Sequence, residues 1–242
     1  MSVNLSVIIL AAGKGTRMNS DLPKVLHKIN NKPMILNVIQ AAHDINANPI
    51  ITVIGYKSEL VKQTLKDKNT QFALQKEQKG TAHAVEQCAE QLNQFKGNVL
   101  VLSGDVPFIS PNTLNILIKK HNQSNAKATV LTCTLDNPYG YGRIIKKTDN
   151  TLEKIVEHKD ANENELAEHE INTGIYIFDS KTLFKILPKI SNNNKQGEYY
   201  LTDVLNILLG ENESVFIQKT NRINEIIGIN TLEQLKEASN ES

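Results

Sequence analysis

The apolar run Val7-Ile8-Ile9-Leu10 passes directly into Ala11-Ala12-Gly13-Lys14-Gly15-Thr16-Arg17-Met18, and Pro23-Lys24 follows shortly after. A short apolar run ended by glycine reads as a buried strand. The two glycines therefore open a loop at the carboxyl end of a strand, the usual ligand position in an α/β sheet. Gly13 and Gly15 let backbone N–H groups approach an anion closely, and Lys14, Arg17 and Lys24 supply three cations nearby. That combination suits a triphosphate. It is not a Walker loop, because no second Gly-Lys stands at the required offset, and it is not the dinucleotide fingerprint, because position 18 is Met where a third glycine is needed. A plain strand-to-helix turn has little use for two glycines, an arginine and a downstream Pro-Lys together.

The rest of the first half alternates strand and helix signals. Pro33 suits the first turn of a helix that places Met34, Ile35, Val38, Ile39 and Ala42 on one face. Ile50 to Ile54 reads as a buried strand ending at Gly55, and Ser58 as the cap of a helix carrying Leu60, Val61 and Leu65. A short strand over Phe72 to Leu74 precedes Gln75, and Thr81 is placed to cap another helix. Val99 to Leu102 is a further buried strand, ending in Ser103-Gly104-Asp105, and Ser110-Pro111 opens a helix with Leu114, Leu117 and Ile118 inward. Strand, crossover helix, strand is the pattern of a parallel, doubly wound α/β sheet. From Ala128 onward strands dominate: 128–135, 142–146, 152–157 and 171–178, which suggests a smaller antiparallel extension packed beside the parallel core. Residues 157–170 carry six carboxylates and read as a solvated loop, long enough to serve as a lid. A helix is expected over 198–209, stopped by Gly210, with Tyr199 and Tyr200 in its first turn. Val215 to Gln218 is a strand, and Thr231-Leu-Glu-Gln234 is a capping box that leaves Asn230 just outside the last helix.

Composition narrows the function classes. A chain of 242 residues buries enough surface to fold without disulfide or metal support. Lys and Arg number 27 against 26 Asp and Glu, a formal charge of +1, which argues against a nucleic-acid partner. Cys88 and Cys133 form no C-x-x-C and are expected as buried thiols in a reducing compartment. No apolar run approaches the ~18 residues needed to span a membrane, so the expectation is a soluble, cytoplasmic protein without a membrane partner.

Eight ordered motifs now bear on identity. They are the stretch Leu10 to Lys24, Gln75-x-x-Gln78-x-Gly80-Thr81, Gly104-Asp105-Val-Pro107, Tyr139-Gly-Tyr-Gly-Arg143, Ile155-Val-Glu-His-Lys-Asp160, Ile171-Asn-Thr-Gly174, Gln196-Gly-Glu-Tyr-Tyr-Leu-Thr-Asp203 and Gly228-Ile-Asn230. Together, from about residue 5 to 235, they resemble the uridylyltransferase domain of the bifunctional N-acetylglucosamine-1-phosphate uridylyltransferase/glucosamine-1-phosphate acetyltransferase family. The resemblance implies a Rossmann-like nucleotidyltransferase fold in a single unit over 1–242, with a nucleotide-binding half to about 127, a sugar-binding half over about 128–228, and a C-terminal helix. It implies transfer of UMP from UTP to N-acetylglucosamine 1-phosphate, giving UDP-N-acetylglucosamine and pyrophosphate. Arg17 and Lys24 would be catalytic, offsetting charge on the phosphoryl oxygens, where one such donor is typically worth ~10²–10³ in rate. Mg2+ would be held by Asp105 and Asn230. Asn230 is raised by the resemblance alone, whereas an acid directly after a buried strand is by itself a reasonable metal ligand. The nucleotide contacts carry over to Leu10, Ala11, Ala12, Gly13, Gln75, Gly80, Thr81, Ser103, Gly104 and Asp105. The amide of Gln75 can read both a donor and an acceptor of uracil. The sugar contacts carry over to Gly140, Glu157, Asn172 and, more loosely, Thr173, Tyr200 and Thr202. His83 and His158 need no catalytic role.

The chain departs from the family in two respects. Ser103 stands where some members carry an aromatic residue, and no hexapeptide repeats of a β-helix occur in this sequence. Acetyl transfer, and the trimerisation that the β-helix drives, are therefore not expected of it. A single-activity enzyme and a piece of a bifunctional one both fit. Two rival readings are a relative using another base or sugar phosphate, and a catalytically silent UDP-sugar sensor. Gln75 and Gly80 speak against the first, and intact Arg17, Lys24 and Asp105 against the second.

Overall fold

A computed structural model describes residues 4–240. The opening apolar run is strand β1 (Leu5–Ala11), and a short hairpin of β2 (Lys28–Ile29) and β3 (Lys32–Pro33) follows. Then come α1 (Met34–Asp44), β4 (Ile50–Ile54), α2 (Ser58–Leu65), β5 (Gln71–Leu74), α3 (Thr81–Glu86), β6 (Asn98–Ser103) and α4 (Pro111–Ser124). The second half contributes β7 (Ala128–Thr134), β8 (Arg143–Lys146), β9 (Leu152–Val156), α5 (Glu163–Leu166), β10 (Glu170–Asp179), α6 (Ser180–Ile186), α7 (Thr202–Gly210), β11 (Val215–Lys219), α8 (Ile223–Ile226) and α9 (Leu232–Asn240).

The sheet runs in the order β11-β7-β10-β6-β1-β4-β5, with β8 bonded to β10 and β9 bonded to β8. β1 lies between β4 and β6, parallel to both, with Leu10 opposite Val53 and Ser103. Successive β1 residues serve opposite cores, as a strand's period of two requires. Val7, Ile9 and Ala11 pack with α1, α2 and α4, and Ile8 packs with α3, α6 and α7. The chain goes from β1 out to β4 and β5 on one side and then crosses back to β6 on the other, so the carboxyl end of β1 is the crevice where such sheets take ligands.

The extension differs from expectation in one respect. It does not pack beside the parallel core but continues the same sheet. β10 is antiparallel to both β6 and β7, and β11 returns parallel to β7. A register shift between Asn172 and Tyr176, with Gly174 at φ +77°, bends β10 where it leaves β6. The acidic stretch is anchored: Asn162 and Glu165 form a capping box on α5, and Glu165 pairs with Lys154 at 2.6 Å.

Three expected helix starts resolve differently. Ser58 begins α2 but makes no cap bond, Lys57 taking the cap position in a left-handed conformation. Gly80, not Thr81, precedes α3. The helix expected over 198–209 starts only at Thr202, because residues 199–201 are engaged elsewhere. Tyr199 N donates to Lys79 O at 2.8 Å, Ala82 N to Tyr199 O at 2.9 Å, and Leu201 N to the Thr81 hydroxyl at 2.9 Å. The capping box of α9 forms as expected, with Thr231 Oγ1 accepting from Gln234 N at 3.2 Å. Cys88 and Cys133 are buried free thiols, Cys88 in a turn just after α3. Among the described residues, no helix is long and apolar enough to cross a membrane.

Candidate active site

At the carboxyl end of β1, Ala11 and Ala12 are buried while Gly13 is exposed, with no atom within 4 Å of where its Cβ would stand. Gly15 has φ +70°, and a Cβ there would lie 2.5 Å from Lys24 Cβ. This close approach lets Lys24 fold under the loop. Its root is fixed by Pro23 and by a helical turn whose Val25 and Leu26 are buried. Lys24 Nζ donates to Asp105 Oδ2, and to Asn230 Oδ1 at 2.6 Å. Arg17 donates to the same Asn230 oxygen at 2.8 Å. Four residues from three distant segments thus meet around two oxygens.

Asp105 is held from both sides. Gly104 N donates to Leu10 O at 2.9 Å, and a Cβ on Gly104 would crowd that carbonyl at 3.0 Å. Ile229 N donates to Asp105 O at 2.9 Å, which brings the Gly228–Asn230 segment alongside. A carboxylate and an amide carbonyl already converging on a cation are a hard-oxygen donor pair. Mg2+ takes few protein oxygens and completes its shell with phosphates and water, so this pair fits it. Among the described residues no group of three His, Cys, Asp or Glu side chains gathers as a metal cluster.

On the β5 side, Gln75 is almost fully buried. Its Nε2 donates to Gly80 O at 3.1 Å and to His83 Nδ1 at 3.0 Å. Both bonds use the amide nitrogen, so they leave the carbonyl oxygen as an acceptor. Leu10, Ala12, Gly13, Gln75, Gly80 and Thr81 line one cavity of about 200 Å3. His83 is thus a supporting residue with no direct catalytic role, as expected, and its Nδ1 is the acceptor that orients Gln75. Gly80, at φ +112°, is pressed against Tyr199, with no room for a Cβ.

The sugar-side candidates gather across β8, β9 and β10. Thr202 Oγ1 donates to Glu157 Oε1 at 3.1 Å. Burial, with smaller contributions from Asp203, Asp160 and Glu198, raises the Glu157 carboxyl above its ordinary range against the Thr202 hydrogen bond. Asn172 Nδ2 donates to the Tyr176 hydroxyl at 2.6 Å, and Asn172 Oδ1 accepts from Gly174 N at 3.1 Å. The glycine between these groups is Gly142: its Cβ would stand 3.4 Å from both Asn172 Cβ and Glu157 Oε2. Gly140, named from the sequence, is exposed at φ +84° with nothing within 4 Å of its Cβ position. The Thr173 hydroxyl donates to Leu131 O at 2.8 Å inside the bulge. The Tyr200 hydroxyl accepts from Gln196 Nε2 at 2.7 Å and donates to Asp160 Oδ2 at 3.1 Å, and burial pushes its pKa up to about 12. Ser103 lies beneath Gly174, its Oγ 3.6 Å from that residue's Cβ position. A larger cavity of about 610 Å3 takes in Glu157, Tyr200 and Thr202, but none of the glycine-loop residues lines it.

The family profile described as "Nucleotidyl transferase" matches residues 6–224. The chain belongs to the nucleotidyl transferase family. Within it the chain is similar to "Bifunctional protein GlmU" of Bacillus cytotoxicus and of Bacillus cereus, at 48% identity over 235 residues. Those residues are 97% of this chain and 51% of each relative, so the chain spans about half the length of the curated relatives it matches. The resemblance carried by the eight motifs is borne out. In fold the chain is similar to the crystal structure of UDP-glucose pyrophosphorylase complexed with UDP-glucose. The TM-score is 0.80 at 20% identity, covering 99% of this chain and 98% of that one. The glycine loop, β6, the following Asp105, and the Glu157–Asn172 cluster all fall inside the segment matched by the nucleotidyl transferase family. Asn230 and α9 lie beyond it.

Proposed function

We propose that this nucleotidyl transferase moves UMP from UTP to N-acetyl-α-D-glucosamine 1-phosphate, forming UDP-N-acetylglucosamine and releasing pyrophosphate. The observation that carries the proposal is the convergence of Lys24, Arg17, Asp105 and Asn230 at the open glycine loop, with an amide reader on one flank and a hydroxyl-binding cluster on the other. The similarity at 48% identity to the bifunctional GlmU proteins supports the choice of base and sugar.

A phosphate oxygen of the sugar phosphate attacks the α-phosphorus of UTP. As that bond forms, the bond from the α-phosphorus to the bridging oxygen breaks, and its electron pair leaves with pyrophosphate. The attacking oxygen is already ionised, so no protein base is required. The protein's work is alignment and charge neutralisation. The backbone around Gly13 cradles the phosphates, while Lys24 and Arg17 reach oxygens whose charge grows during the transfer. Gln75 receives the uracil N–H, and Glu157 with Asn172 receives sugar hydroxyls beside Gly142. Asp105 and Asn230 would hold Mg2+, which supplies Lewis-acid neutralisation of the phosphates.

The test is pyrophosphate release by the purified protein with UTP, CTP or dTTP against N-acetylglucosamine 1-phosphate or glucose 1-phosphate, with and without Mg2+. Turnover restricted to UTP with the N-acetylated sugar, and lost with EDTA, is the expected result. Preference for another triphosphate or sugar would refute the substrate assignment, and no turnover with any pair would refute the enzymatic one.

A further inference from the structure

The metal cradle already contains a cation, and it is the protein's own. Lys24 Nζ contacts both Asp105 Oδ2 and Asn230 Oδ1, the two oxygens assigned above to the divalent ion. Arg17 takes up the Asn230 oxygen as well, so that oxygen already accepts from two positively charged groups. The arrangement is built rather than incidental, because Gly15 leaves the space in which the Lys24 stem lies. The Lys24 and Asp105 side chains are 14% and 21% exposed, so solvent screens their attraction only partly.

We propose that Lys24 competes with the divalent cation for the Asp105–Asn230 cradle, so that metal binds tightly only when a triphosphate has drawn the ammonium away. The inference rests on the metal assignment of the preceding section. A divalent ion and an ammonium cannot both sit at contact distance from one carboxylate without strong mutual repulsion. Among the described residues, Asp105 is the one carboxylate paired with Lys24. A triphosphate changes the balance in two ways. Its oxygens offer Lys24 better partners than one carboxylate, and its charge compensates the incoming metal. Metal and nucleotide then enter as a pair that is still negatively charged, and the ammonium of Lys24 meets part of the remainder. By linkage, the factor by which nucleotide tightens metal equals the factor by which metal tightens nucleotide. Lys24 thus has a second task before the chemistry: it keeps the free enzyme from loading metal without substrate.

The experiment measures Mn2+ binding directly, from the electron paramagnetic resonance signal of the free ion. It compares the parent protein, Lys24→Met, Lys24→Ala and Asp105→Asn, each without nucleotide and with saturating α,β-methylene-UTP. Circular dichroism checks the fold of each variant. Without nucleotide, both Lys24 variants are expected to bind Mn2+ about tenfold more tightly than the parent, the scale of one charge-assisted hydrogen bond removed. The tightening of Mn2+ by the analogue should shrink correspondingly. Unchanged or weaker Mn2+ binding in both Lys24 variants, with binding abolished in Asp105→Asn, overturns the competition while leaving the cradle in place. Parental Mn2+ binding by Asp105→Asn in the presence of the analogue overturns the cradle itself, and the competition with it.

Discussion

Replacing Gly142 by alanine adds one methyl group beside Asn172 and Glu157, and the structure sets its consequences. The new carbon would stand 3.4 Å from Asn172 Cβ and Glu157 Oε2 and 3.5 Å from Val156 O, at the edge of ordinary contact. The fold therefore accommodates it. A ligand seated between the same two side chains does not, and one misplaced methyl in a packed pocket is worth about 1–3 kcal/mol. The expected result is a KM for the sugar phosphate raised about ten- to hundredfold, with KM for UTP and the midpoint of urea unfolding little changed. Gly140→Ala has the opposite signature. Its φ of +84° strains any side chain, at roughly 1–2 kcal/mol, yet the added carbon meets nothing within 4 Å. That variant should lose stability and keep its KM. Initial rates of pyrophosphate release against sugar phosphate, at saturating UTP, separate the two. If Gly140→Ala raises KM and Gly142→Ala does not, the placement of the sugar against Gly142 is wrong.

Gly80→Ala should destabilise the protein by roughly 2–5 kcal/mol in urea unfolding, because its Cβ would stand 2.5 Å from Tyr199 O at a positive φ; a variant as stable as the parent would refute the docking of Tyr199. Asp105→Ala should lower turnover at least ~10²-fold while retaining the parental circular dichroism spectrum, and near-parental turnover would remove the metal assignment. His121 lies buried against Thr129, and desolvation lowers its pKa from 6.5 to about 4. The fold therefore favours the neutral ring, so its contribution to stability is complete above the unfolded value and is lost as pH falls from 6.5 toward 4. That loss amounts to roughly 2 kcal/mol between pH 7 and pH 5. Urea titrations should show the parent losing more stability over that interval than His121→Gln, and equal losses would contradict the assignment.

Much of the first half was legible because its signals are local. Apolar runs ending in glycine marked β1 and β4, and Ser110-Pro111 marked α4, whose Ser110 hydroxyl accepts from Thr113 N at 3.2 Å. What stayed hidden depends on distant pairings. Glu198 to Leu209 has the composition of one helix, yet docking of Tyr199 and Leu201 against residues 79–82 delays it to Thr202. Gly140 and Gly142 look equivalent in the string Tyr139-Gly-Tyr-Gly-Arg143, and only the pairing of β8 with β9 and β10 brings Gly142 to Glu157 and Asn172. In the sequence, Lys24 reads as a phosphate ligand and Asp105 as a metal ligand. That they grip each other across 81 positions follows from strand order, which no local pattern encodes.

Strand β10 carries a further consequence. It is bonded along one flank to β6 and along the other to β7, so the regions proposed to receive base and sugar are parts of one slab. Opening them like a clamshell would tear a ladder of backbone hydrogen bonds. Admission and release of reactants therefore fall to the rim, to the glycine loop, the Tyr139 turn and the chain leading into α7. Rim segments of that size rearrange within nanoseconds to microseconds, faster than hinged lobes, so the overall dimensions of the molecule should stay constant through a catalytic cycle.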